Sequence, residues 1–195
     1  MKTVFNTLSP EESAALTQAI ENARVLKNQK MVNPLTSPLS ASKLATFAGL
    51  SYFGVDFKFR IKATLVRAST EKFVALPMSD GKTRQFREFG TLSFNFEDST
   101  YKLTVFQNQN LPEFAGLSDQ LFIPFKDKTS GIETFAGGRF LPFELPTSDQ
   151  EVVLDFNLAI NPYNAYNQSL VSVFPSASGL LQFSMVSGER KYEDR

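Results

Sequence analysis

From Phe57 onward the chain alternates. In "FRIKATLVRA", Phe59, Ile61, Ala63 and Leu65 fall on one side of an extended backbone, and Arg60, Lys62 and Thr64 on the other. That two-residue repeat is the signature of a strand with one buried face. In "TLSFNFEDSTYKLTVFQ", Leu92, Phe94 and Phe96 precede a polar turn, and Tyr101, Leu103 and Val105 follow it, which reads as a hairpin. "KFVALPM" and "TRQFREFG" flank "SDGK", an Asp-Gly turn signal. "QLFIPF", "IETFAGGRFL", "EVVLDFNLAI" and "LLQFSMVSG" supply further strands. Short strands at regular spacing, with no helix between them, pack as a sandwich or barrel. The fold expected is mainly β: a single antiparallel β-barrel or sandwich of about eight strands with one N-terminal helix.

The helix is announced by Ser9, Pro10 and Glu12: a hydroxyl cap, a proline at the first helical position and a capping-box acid. Leu16, Ala19, Ile20, Ala23 and Leu26 recur at helical spacing, so the pattern predicts a helix from about Pro10 to Lys30 with those residues on its inner face. "NPLTSPLSAS" reads as a strap over the body, with a short helical turn at Ala41 to Phe47. The organisation expected is a helix and lead-in over residues 1–33, a strap or linker over 34–56, the β domain over 57–188, and a charged tail over 189–195 that frays.

Composition removes whole classes of chemistry. Among 195 residues there is no His and no Cys, which excludes Ser-His-Asp and Cys-His catalysis, disulfides and cysteine zinc sites. Twenty Phe and no Trp make the core aromatic. Twenty basic and twenty acidic residues cancel, so no long-range field favours nucleic acid or an anionic membrane. Asp127, Thr129 and Glu133 alternate like metal ligands, but the spacing lacks the glycine and further acids of a calcium loop, and neither metal nor cofactor is expected. The opening residues lack the apolar run of a secretory signal, and no stretch reaches the ~18 apolar residues of a membrane span. A cytoplasmic location is the default, although an exported, processed chain would read the same way. Oligomeric state is not encoded in any pattern here.

The stretch "DKTSGIETFAGGRFL", Asp127 to Leu141, gathers two acids, an arginine, three glycines and three hydroxyls. In one reading it is a turn between strands. Gly131 then supplies a positive φ, Gly137 and Gly138 mark a bulge or a close approach of backbone or ring, and Glu133 and Arg139 are surface partners. In the other reading it faces "EVVLDFNLAINPYNAYN". There, alternation puts Val152, Leu154, Phe156 and Leu158 on one face and Asp155 and Asn157 on the other, ahead of a loop holding Asn161, Asn164 and Asn167. A polar strand face running into an Asn/Tyr loop suits a concave site for a small polar ligand. The competing account is that the Asn side chains cap their own turns.

These residues resemble a bacterial domain-of-unknown-function family, number sixteen eighty-four. The likeness runs from "SPLSASKLATFAGLSYFGVDFKFRIKATL" to the C-terminus and includes "GTLSFNF", "LFIPFKDKTSGIETFAGGRFL" and "VVLDFNLAINPYNAYN" in family order. The chain looks like the short form, without the extra N-terminal β module of longer members. With no activity established for the family, the resemblance implies position rather than chemistry. It places Asp127, Thr129, Gly131, Glu133, Gly137, Gly138, Arg139, Asp155, Asn157 and Asn161 in the pattern that the fold or site requires, and it implies that the two polar stretches meet in space. The chain departs from the family where "NPxCAYN" and a second Cys stand in relatives; here those positions are Asn164 and Ser172. Short relatives often look exported.

Two functions fit. One is a non-catalytic binding or structural module, with Asp127, Glu133, Arg139, Asp155, Asn157 and Asn161 holding the barrel together or gripping a small polar ligand. The other is a hydrolase or lyase without His or Cys, with Asp155 or Glu133 in a carboxylate pair and Arg139 holding an anionic group. The second requires Glu133, Asp155 and Arg139 to converge on one open cleft.

Overall fold

The computed structural model describes residues 8–107, 121–144 and 151–193. Helix α1 spans Pro10–Val32 and begins as its capping box dictates: the Ser9 side chain accepts from the Glu12 amide, and the Glu12 carboxylate accepts from the Ser9 amide at 2.8 Å. A short α2, Ala41–Ala45, is capped by Ser40 within the strap. The lead-in and the last two tail residues lie outside the described residues.

Among the described residues seven antiparallel strands follow: β1 Arg60–Arg67, β2 Phe73–Pro77, β3 Thr83–Phe96, β4 Ser99–Gln107, β5 Leu121–Phe125, β6 Arg139–Phe143 and β7 Glu151–Asp155. Their order is β6-β5-β4-β3-β1-β7, with β2 also on β3. The sheet curls into a half-barrel because β3 joins two stretches that read separately in the sequence. Its first part pairs with β2 and its second with β1, and the register shifts between Glu88 and Gly90. A bulge of this kind bends a strand and increases its twist. Gly90 is required there: a Cβ would stand 2.6 Å from the Val66 carbonyl oxygen. Beyond β7 the chain returns to β6, where Phe140 and Ile160 exchange two backbone hydrogen bonds of 2.8 Å and bring the two ends of the sheet together.

The inner face holds the main core, in which Phe96 stacks on Phe183 at 4.1 Å and Phe125 meets Phe156 edge-on at 5.3 Å. A second cluster includes Leu76, Phe86, Phe106, Phe122 and Phe140. Burial of so many rings supplies the dominant stabilisation, at roughly 25 cal/mol per Å² of apolar surface.

Four expectations change. Of the expected stripe only Ile20 is buried; Arg24, Lys27 and Met31 complete the inner face of α1, and Leu26 is 58% exposed. The helix packs on a rim of polar side chains, and those select a polar face. "IETFAGGRFL" is strand only from Arg139, because Gly131 and Gly138 take left-handed φ of 87° and 93° and fold residues 127–138 into a compact turn. The strand in "EVVLDFNLAI" stops at Asp155, whose carboxylate accepts from the Asn157 amide and starts a 3-10 turn, Phe156–Leu158. Asn157 is thereby buried and Leu158 exposed. Finally, "LLQFSMVSG" alternates as expected, with Leu181, Phe183, Met185 and Ser187 inward, yet it joins no strand ladder. It is an extended strap, held by its backbone to Lys126 and Lys128 and, further on, by side chains.

Candidate functional site

Those side chains are the ones the sequence singles out. Arg139, on the first residue of β6, is 0% exposed. Its Nη2 donates to Asp127 Oδ2 at 3.1 Å and to the Met185 carbonyl at 2.8 Å, and its Nη1 donates to the carbonyls of Ser187 and Glu189. Asp127 Oδ1 accepts from the Met185 amide at 3.1 Å and from both the amide and hydroxyl of Thr129. Arg139 and Asp127 therefore satisfy strap backbone groups that a neighbouring strand would otherwise pair.

The second polar stretch reaches the same strap. Asn157 Oδ1 accepts from the Ser187 hydroxyl at 2.9 Å, and Asn157 Nδ2 donates to Asp155 Oδ1 at 2.9 Å. Asp155 also faces Arg60 at 3.6 Å. Asn161 donates from its amide and its Nδ2 to Glu189, and from Nδ2 to the Arg190 carbonyl. Asp127, Arg139, Asn157 and Asn161 thus meet on residues 185–190, and Asp155 joins them through Asn157. Glu133 touches the same segment from outside: it is half-exposed and pairs with Arg190 at 3.6 Å.

Glu189 is the centre that the sequence conceals. At the head of a stretch expected to fray, it is 1% exposed. It accepts from Lys27 Nζ at 2.6 Å, from the Tyr166 hydroxyl at 2.5 Å and from both Asn161 donors. The signal existed: the inward alternation Leu181, Phe183, Met185, Ser187 continues to Glu189, and Lys27 falls on the helical row Ile20, Arg24, Lys27, Met31.

Burial, with the charge of Glu189 adding to it, pushes the Tyr166 phenol well above its ordinary 10.0 and raises that of Tyr52 as well. Burial lowers the Lys27 ammonium, against the opposing pull of Glu189. The signs are opposite. Lys27 loses its proton earlier in the folded state, so its contribution to stability rises with pH until the unfolded lysine titrates near 10.5. The tyrosines keep their protons in the folded state while the unfolded chain loses them, so their contribution falls above about pH 10. Above about pH 10.5 the Lys27 contribution levels off while that of the tyrosines continues to fall. Tyr166→Phe should therefore make the alkaline fall in stability shallower by about 1.4 kcal/mol per pH unit, read from urea midpoints across that range. An unchanged slope would mean that Tyr166 ionises as freely in the folded protein as in the unfolded one.

Beside this centre lies an open groove of about 380 Å³, lined by residues 48–52 and 190–193. The two segments pair where Tyr52 bridges Glu189 and the Arg190 amide donates to the Ser51 carbonyl at 2.9 Å, then diverge. Tyr52 and Tyr192 give its walls aromatic character, and Arg190, Lys191 and Glu193 line it with charge, Lys191 and Glu193 paired at 3.0 Å. A second groove, about 350 Å³, crosses the β2–β4 surface; its Lys72 is engaged with Glu88 at 2.7 Å. Neither groove is lined by Asp127, Arg139 or Asp155. Among the described residues no cluster of three acids stands ready for a metal ion, and no helix is long and apolar enough to cross a membrane.

Asn164 and Ser172, the two positions at which the resemblance implies a departure from the family pattern, are neighbours: the amide of buried Asn164 donates to the hydroxyl of buried Ser172 at 3.3 Å. Asn164→Cys with Ser172→Cys is expected to form a disulfide that adds about 2–3 kcal/mol, the entropy of closing so short a loop. The check is a thermal midpoint that falls on adding a reductant; free thiols in the oxidised double variant would show the geometry unsuitable.

Comparison places these features among known proteins. Residues 45–190 match the family described as "Protein of unknown function (DUF1684)". The solution NMR structure of an uncharacterized protein from Haloarcula marismortui, gene locus rrnAC0354, is similar at 32% identity and a TM-score of 0.71, over 93% of this chain and 97% of that one. No curated protein matches the chain.

Proposed function

Because the chain belongs to the DUF1684 family, whose description assigns no activity, we propose a function from the site itself: a non-catalytic domain that binds a small polar ligand in the groove between residues 48–52 and 190–193. The observation that carries this reading is the contrast between two polar regions. Asp127, Arg139, Asp155, Asn157 and Asn161 are committed to one another and to the strap. The groove is open, and its volume falls within the range of small-molecule sites. On this reading these five residues, four of them buried, are positioning residues. They hold the strap whose continuation, Arg190 to Glu193, forms one wall of the groove, while Glu133 steadies Arg190 from outside. Carboxylate-pair catalysis finds no support, since Arg139 has no exposed atom to offer a substrate.

Amide NMR spectra of the full chain, recorded against a panel of carboxylic acids, amines, sugars and nucleosides, test the proposal. Saturable shifts at Gly49 to Tyr52 and Arg190 to Glu193 for one chemical class are expected. Shifts elsewhere only, or turnover of any panel member that Asp155→Ala abolishes, would overturn it.

A further inference from the structure

Helix α1 carries an apolar row that the body does not cover. Leu16, Ala19, Ala23 and Leu26 follow one another at steps of three, four and three residues, and Glu12 and Lys30 extend the row by four at either end. That spacing keeps all six on one line of a helix. The line runs about a quarter of a turn round from Ile20, Arg24, Lys27 and Met31, the residues that α1 turns to the body. Glu12, Ala19, Ala23, Leu26 and Lys30 are exposed and Leu16 is half-buried, and none of the row belongs to a core cluster. In the sequence the row reads as an inner face; its place in the fold makes it an apolar face with no cover among the described residues.

The row is its own complement when reversed. Laid antiparallel on a second α1, Leu16 meets Leu26 of the second copy, Ala19 meets Ala23, and Glu12 meets Lys30 at both ends. Two alanines at the crossing point let the backbones approach, and the leucines on either side pack into the spaces beside them. No ion pair engages Lys30 among the described residues, and Glu12 gives one carboxylate oxygen to the Ser9 amide while keeping the other. Acids occupy the first turn of α1 and a base the last, so antiparallel alignment sets each helix end beside one of opposite charge. A parallel pair would set Glu12 against Glu12 and Lys30 against Lys30. With twenty acids and twenty bases, the chain has no net charge to hold copies apart.

We propose that this face is a contact between two copies of the chain: an isologous dimer in which the α1 helices cross antiparallel over Leu16, Ala19, Ala23 and Leu26. The inference does not depend on the groove. A second copy is the occupant because only the same row, reversed, supplies leucine for leucine, alanine for alanine and the opposite charge at each end at once. The apolar seam covers about three turns of helix, well short of a permanent interface, so the dimer forms and parts with concentration.

Sedimentation velocity of the full chain, from micromolar to near-millimolar concentration, reads the association directly. The weight-average mass should climb from one chain toward two. Leu26→Glu, at a side chain 58% exposed in the single chain, should weaken the dimer at least about tenfold and leave the thermal midpoint of dilute protein within about 2 °C of the parent. Lys30→Glu and Glu12→Lys should each weaken it by about fivefold, because each sets like charges against one another at both ends. Both variants keep the Ser9 cap, whose hydroxyl still accepts from the amide at position 12. Mixed in equal amounts, the two should recover the parent affinity to within about twofold, since the mixed pair carries opposite charges at both ends. A chain that stays a monomer throughout would overturn the proposal, and a dimer that Leu26→Glu leaves intact would do so by placing the contact elsewhere. A mixture no stronger than either variant alone would overturn the antiparallel crossing.

Discussion

Arg139→Met is expected to destabilise the protein by about 3–5 kcal/mol, the range found when one partner of a buried ion pair is removed. The variant keeps most of the side-chain volume, so packing is a minor part of the loss. What remains is an Asp127 carboxylate buried without its cation and three strap carbonyls, at Met185, Ser187 and Glu189, without their donor. The loss should appear first in the strap. Limited proteolysis should cut between Met185 and Lys191 at urea concentrations where the β-sheet still holds. Glu133→Ala provides the contrast: its ion pair with Arg190 is half-exposed at 3.6 Å, and its loss should cost less than about 1 kcal/mol. A urea midpoint for Arg139→Met within about 1 kcal/mol of the parent would refute the clasp and reopen the cluster as a ligand site.

The strands were legible because period-two alternation carries its own cause: a face that buries Phe94 and Phe96 must expose Ser93 and Asn95. The capping box at Ser9 and the Asp-Gly turn at Asp80 were legible for the same reason, since each satisfies its own backbone locally. The role of the polar residues was not. Asp127, Arg139 and Asn157 have the side chains a ligand site needs, but the partners they meet are main-chain carbonyls and amides and a hydroxyl of a strap some 30 to 60 residues away. Composition does not distinguish a carbonyl of the chain from an oxygen of a ligand. The face of α1 misled for a related reason. Apolar spacing points a helix inward only where the surface below is apolar, and here that surface presents Tyr52, Tyr166 and Glu189. The charged look of "GERKYEDR" likewise concealed that Glu189 turns inward onto that surface.

Glu189 is for that reason the second residue whose loss should be severe. Glu189→Leu is expected to cost about 3–5 kcal/mol, because it strands the Lys27 ammonium, the Tyr166 hydroxyl and two Asn161 donors at once. Lys27→Met should cost less, about 1–3 kcal/mol: the carboxylate left behind still accepts from Tyr166 and from Asn161 twice, and such donors stabilise a buried anion. The double variant Lys27→Met/Glu189→Leu should be more stable than the sum of the two losses implies, since each single change strands what the other removes. Urea unfolding of the four proteins at neutral pH measures all three quantities. Equal losses in the two single variants would show that the ion pair itself holds α1 to the sheet. The expected asymmetry instead assigns that task to the carboxylate, which ties the helix, the Asn/Tyr loop and the strap to one atom group at the edge of the groove.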